Sequence, residues 1–434
     1  MLLKSPLRIL CAFLLALALP HTAALAQDDD TVSYTVKQGD NLYTLAQRYM
    51  RSHRSVLVVQ RLNKIANPRR LPIGKTLRIP RDVLRYTPLQ LNVAYFSGTV
   101  TVSNKTLSGG TKLTEGDTVS TAGNGFVTFA SDSGKRFTMP SNSVMFLGTA
   151  RRYVLNNIED IDFEVRRGRA NTKSSPLKAN DRLKVRTPVA TTAVRGTEYR
   201  TAFYAPSGTS ITEVVEGSVS VAVGDEADVA SEGFGLASTA EGLGEQEALL
   251  PAVKFDAGTR PQTAEMLNFK IVPQDGAVQY RVELARDADF LDIVDESVVA
   301  VPSASFNSLD DGRYFVRARG VSPSGVEGIN AYADSFLRKR LGVEGSAEPS
   351  PLSDGFLFKW LAAGEGTSTY AFQLWREGDA ETLLIDETGL TKTSILLTNL
   401  EPATYKWRVA VMQSDPVEGL LKVWGETKGL VVSE

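Results

Sequence analysis

The chain of 434 residues holds one cysteine and two histidines. Cys11 and His21 both fall within the first 26 residues, so without that segment no thiol remains and His53 is the single imidazole. Cysteine-nucleophile chemistry then has no nucleophile, and a zinc site of the usual design has too few ligands. A Ser-His-Asp triad would depend on His53 alone, inside a unit too small to house it. Placed between Arg51 and Arg54, His53 reads as a solvated linker residue. Disulfides are equally excluded, so each domain must be held by its core, which 42% hydrophobic content can supply. The 50 acidic residues leave a paired-carboxylate hydrolase open by count. Such enzymes usually need large helical or barrel domains, and the patterns below offer none. The expectation is a non-enzymatic chain with no cofactor and no metal.

Long hydrophobic runs are missing too. Ile9–Leu19 is an apolar stretch of 11 residues, short of the roughly 18–20 that cross a bilayer. Lys4 and Arg8 precede it and Ala24-Leu25-Ala26 follows as a small-x-small cleavage site. That layout is a secretory signal peptide. Cleavage after Ala26 would leave 408 residues beginning Gln27-Asp28. The "RIL" before Cys11 lacks the small residues of a lipoprotein site, so Cys11 reads as apolar filler. The expected product is soluble, periplasmic and without a transmembrane anchor.

The charge is asymmetric. Residues 34–86 carry 12 Lys+Arg against 2 acids, residues 87–223 carry 16 against 11, and residues 224–434 carry 18 against 34. A basic patch often means nucleic acid, but outside the cytoplasm an anionic envelope polymer is the better partner, and a merely solvated basic surface stays open. No nucleic-acid partner is expected.

The stretch "YTVKQGDNLYTLAQRYM" (Tyr34–Met50) starts extended, breaks at Gly39-Asp40 and turns helical. Ser33–Val36 alternates like a strand, and Asp40 is placed to cap a helix over Asn41–Met50. Leu42, Leu45, Ala46 and Tyr49 form one buried stripe. Ser55 is placed to cap a second helix, Val56–Leu62, and Lys75–Pro80 reads as a returning strand, giving β-α-α-β. This unit, with Leu62-Asn63 and "NPRRLPIGKTLRIP" (Asn67–Pro80), resembles a LysM domain over residues 33–81. The resemblance implies binding of N-acetylglucosamine-containing glycan, chiefly peptidoglycan. It places the groove between Gly39, Asp40, Asn41 and Leu42 on one loop and Asn67, Pro68, Arg69, Leu71, Pro72 and Ile73 on the other. Backbone groups of both loops would bond the acetamido groups, while Leu42 and Ile73 would cover the sugar face. So shallow a groove gives modest affinity per module.

From residue 92 the period becomes two. Gly98–Ser103, Gly125–Ser131, Lys135–Pro140, Ile161–Gly168, Arg182–Pro188 and Ser210–Val223 alternate between Gly, Asn, Asp and Pro clusters, predicting an all-β sandwich, roll or solenoid. Gly116-Asp117, Ser133-Gly134, Thr187-Pro188-Val189-Ala190, Arg195-Gly196-Thr197, Glu216-Gly217 and a trailing "SEGFGLAST" (Ser231–Thr239) resemble a FecR-type domain over residues 92–245. At the RGT turn, Gly196 permits a close approach and Arg195 can bridge several acceptors. A brace within the β core is the stronger reading of that turn than a ligand site. The best-known relatives have a cytoplasmic segment and a membrane span and relay a signal from an outer-membrane transporter to a sigma factor. An export signal and the LysM-like unit stand in that place here, so only a periplasmic sensing or protein-binding role carries over.

The C-terminal half says one thing twice. "YRVELARDADFLDIVDES" (Tyr280–Ser297) answers to "YAFQLWREGDAETLLIDET" (Tyr370–Thr388), and "LDDGRYFVRARGVSPSGVEG" (Leu309–Gly328) to "LEPATYKWRVAVMQSDPVEG" (Leu400–Gly419). A repeat of about 90 residues with period-two strands predicts tandem β-sandwiches. The pattern resembles fibronectin type III-like modules, at 260–341 and 349–434. Tyr314 and Tyr405 are expected as core anchors, and Phe269 and Ile271 as the counterparts of Phe358 and Trp360.

The fold class expected is therefore mainly β and multidomain. A small βααβ module, an all-β domain and two tandem sandwiches follow one another. The function expected is tethering to peptidoglycan through residues 34–81 while the β modules display a surface to other envelope proteins. The alternative is an envelope signal-sensing component that the LysM-like unit merely positions.

Overall fold

The computed structural model describes residues 30–433 except 195, 257–260, 308, 333–334, 352–353 and 380–381. The expected signal segment, with Cys11 and His21, lies outside the described residues. Among those described, no helix is long and apolar enough to cross a membrane.

The first unit is the predicted β-α-α-β. Strand β1 (Thr31–Thr35) pairs antiparallel with β2 (Thr76–Pro80), Tyr34 facing Leu77. Helices α1 (Leu42–Tyr49) and α2 (Ser55–Leu62) lie between them in sequence. Leu42, Leu45, Ala46, Val56 and Val59 are buried against Val32, Leu77 and Ile79. Two local expectations are corrected. The N-cap of α1 is Asn41, whose Oδ1 accepts from the Tyr43 and Thr44 amides at 3.0 Å while Thr44 Oγ1 accepts from the Asn41 amide. Asp40 instead closes the turn before the helix, accepting from the Lys37 amide and the Tyr34 hydroxyl. Ser55 is the first residue of α2 rather than its cap; Arg54 stands at the cap with no side-chain bond.

The middle domain is two antiparallel-rich sheets that share a strand. Ile158–Lys173 pairs through its first part with Val144–Tyr153 and, in parallel, with Arg182–Arg186. From Gly168 onward it crosses to the other sheet, between Glu198–Tyr204 and Arg136–Met139. The crossing demands glycine: Gly168 has φ +76°, and a Cβ there would lie 2.5 Å from Ser143 Oγ. Sheet-to-sheet packing buries Phe129, Phe137, Leu147, Phe163 and Val165, which makes the domain a sandwich-like roll and not a solenoid. The single expected strand Ser210–Val223 is two. Gly217, at φ +87°, divides Thr209–Glu216 from Ser218–Val223, and the halves pair in different sheets.

Two sandwiches follow. In the first, Leu267–Lys270 and Ser303–Phe306 face Ile293–Val299, Gln279–Ala285 and Gly312–Val321, over a core of Phe269, Phe306, Tyr314 and Phe336. In the second, Gly342–Pro349, Gly355–Ala363 and Ser394–Thr398 face Thr369–Arg376 and Ala403–Asp415 with their neighbours, over Phe358, Trp360, Phe372 and Trp407. Tyr314 and Tyr405 are buried, and each hydroxyl donates to the carbonyl four residues upstream, Asp310 at 3.1 Å and Glu401 at 2.8 Å. These are tyrosine corners.

The modules are joined by packing. Tyr153, Leu155 and Ile158 of the middle domain enter the core of the first unit, and Arg81 Nη2 donates to the Asn180 carbonyl at 2.7 Å. Phe126 packs with Phe290 and Ile293, and Val326 with Ile211 and Leu249. Leu337 and Leu341 lie in the core of the second sandwich.

Candidate glycan-binding groove

Gly39, Asp40, Asn41 and Leu42 form the turn from β1 into α1, and residues 67–73 lead into β2. The two loops are tied together at both ends. The Leu42 amide donates to the Pro68 carbonyl at 2.9 Å, and the Gly74 amide to the Val36 carbonyl at 2.9 Å. Each loop is also set from within. Asp40 Oδ2 holds the Tyr34 hydroxyl at 2.7 Å, and burial, with this bond beside it, pushes that phenol's pKa up. Asn67 Oδ1 accepts from the Arg69 amide at 2.9 Å. Among the described residues, the hydrogen bonds and ion pairs of 39–42 and 67–73 stay inside this unit, and Gly39, Asn67, Arg69, Pro72 and Ile73 are exposed to solvent.

Leu42 and Ile73 are both expected to cover the sugar face, and they differ in exposure. Leu42 is wholly buried in the core, so it offers backbone and not a side chain to a sugar. Ile73 is 70% exposed and Tyr43 is 45% exposed, and the Arg69 guanidinium stands 6.0 Å from the Tyr43 ring. Tyr43 is the groove-side aromatic that pattern reading passed over. Its signal was available: it falls off the apolar stripe at the second residue of the helix, where an aromatic ring has no core to enter. Of the 12 cations between 34 and 86, all except Arg81 are exposed.

The hallmark turns of the middle domain gather into structural corners. The Thr187 amide donates to the Ala190 carbonyl at 2.8 Å, and the Ala190 amide to Thr187 Oγ1 at 2.9 Å, closing the TPVA turn. Asp117 accepts from Ser103 Oγ, the Thr114 amide and Thr114 Oγ1. Burial works upward on its pKa, but these bonds win and hold it below the ordinary carboxylate range. A Cβ on Gly196 would lie 2.4 Å from Pro176 Cα, and one on Gly217 would lie 2.7 Å from Thr197 Cγ2. The Ser174 amide donates to the Thr197 carbonyl at 3.0 Å. Gly196, Thr197 and Gly217 thus pack as one knot, while Arg195 lies outside the described residues.

Residues 34–80 match the sequence model of the LysM domain, and residues 117–220 that of the FecR protein. LysM domains bind peptidoglycan-type glycans, and the domains found here are of binding or regulatory kinds. A search of curated proteins finds no match. Among solved structures, a candidate anti-sigma factor from Parabacteroides distasonis aligns at 15% identity and TM-score 0.26. That alignment covers 30% of this chain and 59% of the other, so the chain spans less than two thirds of that relative's length. The FN1–FN3 domains of chicken CNTN1 align at 13% identity and TM-score 0.25, covering 62% and 99%. A two-domain fibronectin type III segment of chicken tenascin aligns at 11% identity and TM-score 0.24, covering 43% and 99%. At these scores the likenesses bear on none of the conclusions below.

Proposed function

We propose that this is an exported, non-catalytic periplasmic protein that binds the cell wall through residues 34–80 and presents the modules behind them to other envelope proteins. The observation that carries the reading is the LysM match over a unit whose two loops are tied edge to edge and left open to solvent. Backbone groups at Gly39–Asn41 and Pro68–Ile73 would meet the acetamido groups, with Ile73 and Tyr43 against the sugar face. The surrounding cations favour an anionic polymer. Because the middle domain packs on this unit directly, the first sandwich on the middle domain and the second sandwich on the first, binding would fix the orientation of the whole array and not hang it from a flexible leash.

The test uses the mature chain and purified sacculi. Tyr43→Ala and Ile73→Glu change exposed side chains, so folding should be kept while co-sedimentation falls by at least about tenfold. Unaltered pelleting of both variants would overturn the reading. The FecR match favours a second reading, a regulatory envelope component. Capture of a transporter or an anti-sigma protein from lysozyme-treated envelopes would support it, and capture of wall-synthesis proteins would support the scaffold.

A further inference from the structure

Between the middle domain and the first sandwich lies a cleft of about 340 Å³. It is built from segments far apart in sequence: Asn171 and Arg200 on one wall, Arg319 and Asn330 on the other. Arg200 and Arg319 are each more than nine-tenths buried. Arg200 spends Nε on Glu213 and Nη2 on the Glu327 and Gly328 carbonyls, yet its Nη1 has no partner. Arg319 spends Nε on Glu327 and Nη1 on Glu283 and Asn330, yet its Nη2 has none. The Asn171 Oδ1 is an acceptor in the same condition. Buried polar atoms are almost always satisfied, so two donors and an acceptor left open around one cavity call for an occupant.

The charge balance says what kind. Five guanidiniums, Arg169, Arg200, Arg281, Arg317 and Arg319, interlock with four carboxylates, Glu213, Glu283, Glu296 and Glu327. One positive charge is left over. The rim does not cancel it, because Arg136 faces Asp289 at 3.9 Å and Lys173 faces Glu198 at 2.5 Å. Burial pushes the Glu213 pKa up while the arginines hold Glu283 and Glu327 well below the usual range, so the excess is at least one. A buried cation in excess is costly unless a counter-charge joins it.

We propose that the cleft binds a small hydroxylated carboxylate, of the sugar-acid class. A carboxylate brings the negative charge that the excess cation lacks. The free N–H groups of Arg200 and Arg319 suit the two oxygens of a carboxylate, and Asn171 Oδ1 takes a ligand hydroxyl. The volume exceeds that of an inorganic ion and falls at the lower end of small-molecule pockets. The site is independent of the wall-binding reading, and failure of either leaves the other standing.

The experiment is calorimetric titration of the full mature chain at low ionic strength with D-glucuronate, D-gluconate, D-glucose and inorganic phosphate. Glucuronate or gluconate should saturate with a Kd below about 1 mM, glucose should not bind, and phosphate should bind at least about tenfold more weakly. Asn171→Leu, which removes the open acceptor, should weaken the acid by about tenfold or more, with far-UV spectra unchanged. Absence of binding by both acids at about 10 mM would overturn the proposal and leave the cleft to water. So would equal affinity for phosphate or glucose, or titrations indifferent to the Asn171 substitution.

Discussion

The two sandwiches share a core plan and part ways on one sheet face. In the pairing of the strands, Arg281 and Glu283 of the first occupy the places of Ala371 and Gln373 in the second. Arg317 and Arg319 likewise answer to Arg408 and Ala410. The first copy turns this face to the middle domain and seals it with the five-arginine network. The second closes it on itself, with Ala371, Ala410, Met412 and Trp424 in a small apolar cluster and Arg408 over the Trp424 ring at 4.2 Å. Both copies then use the same "VEG" turn to grip the module before them. Glu327 meets Arg169 of the middle domain, and Glu418 meets Arg313 of the first sandwich at 3.1 Å. One fold thus serves as a buried mortise and as a rim contact, and what decides is burial around equivalent residues.

The sharpest way to break the comparison is to remove that glutamate from each copy. Glu327→Ala strands Arg169, Arg281 and Arg319 in a buried site, at a cost of about 3–5 kcal/mol. Glu418→Ala removes a pair that is partly open to water, worth at most about 1 kcal/mol. Urea unfolding of the two variants measures both. Equal losses would show that the network around Glu327 contributes no more than a surface pair.

Acid separates the copies next. Glu283, Glu296 and Glu327 are held below the ordinary carboxylate range, where the arginine charges outweigh burial. Glu159 of the middle domain is brought down to about 2, hydrogen bonds from Lys135, Ser133 and Arg152 outweighing its burial. A carboxylate depressed on folding contributes stability in full above its unfolded value and gives it up as pH falls toward the folded one. The loss should therefore run from about pH 4.5 downward, with Glu213, raised by burial, opposing it. All four tryptophans, Trp360, Trp375, Trp407 and Trp424, lie in the second sandwich. On acidification the far-UV signal should fall while tryptophan emission still reads native. Emission that shifts first, or in step, would contradict the assignment of acid lability to the network.

How much of this was legible follows from how local each signal is. The apolar stripe of α1, the Gly-Asp turns and the paired tyrosines announce themselves within a few residues, and the structure places them as read. Asn41 against Asp40 shows the limit, since either side chain can cap and only the backbone conformation chooses. The cleft was illegible for a different reason. Arg281, Glu283, Arg317 and Arg319 stand at the alternate positions of their strands, which period-two reading assigns to solvent. They do point away from the core of their own sandwich, but another domain covers them. A contact such as Arg169 with Glu296, 127 residues apart, leaves no periodic trace, and a count of acids over the C-terminal half does not show that Glu283 and Glu327 are buried.

The smallest effect tests what the copies have in common. Tyr314→Phe and Tyr405→Phe each remove one hydroxyl that closes a corner on a backbone carbonyl, leaving the ring in its core. Each should cost about 1 kcal/mol, and nearly the same in both copies, because neither corner touches the face on which the copies differ. Tryptophan emission during urea unfolding should register the Tyr405 variant and ignore the Tyr314 one. A clearly larger loss at Tyr314 would mean that the mortise face and the corner are coupled through the Gly312–Val321 strand they share, and the two sandwiches would then differ in their cores as well as at their surfaces.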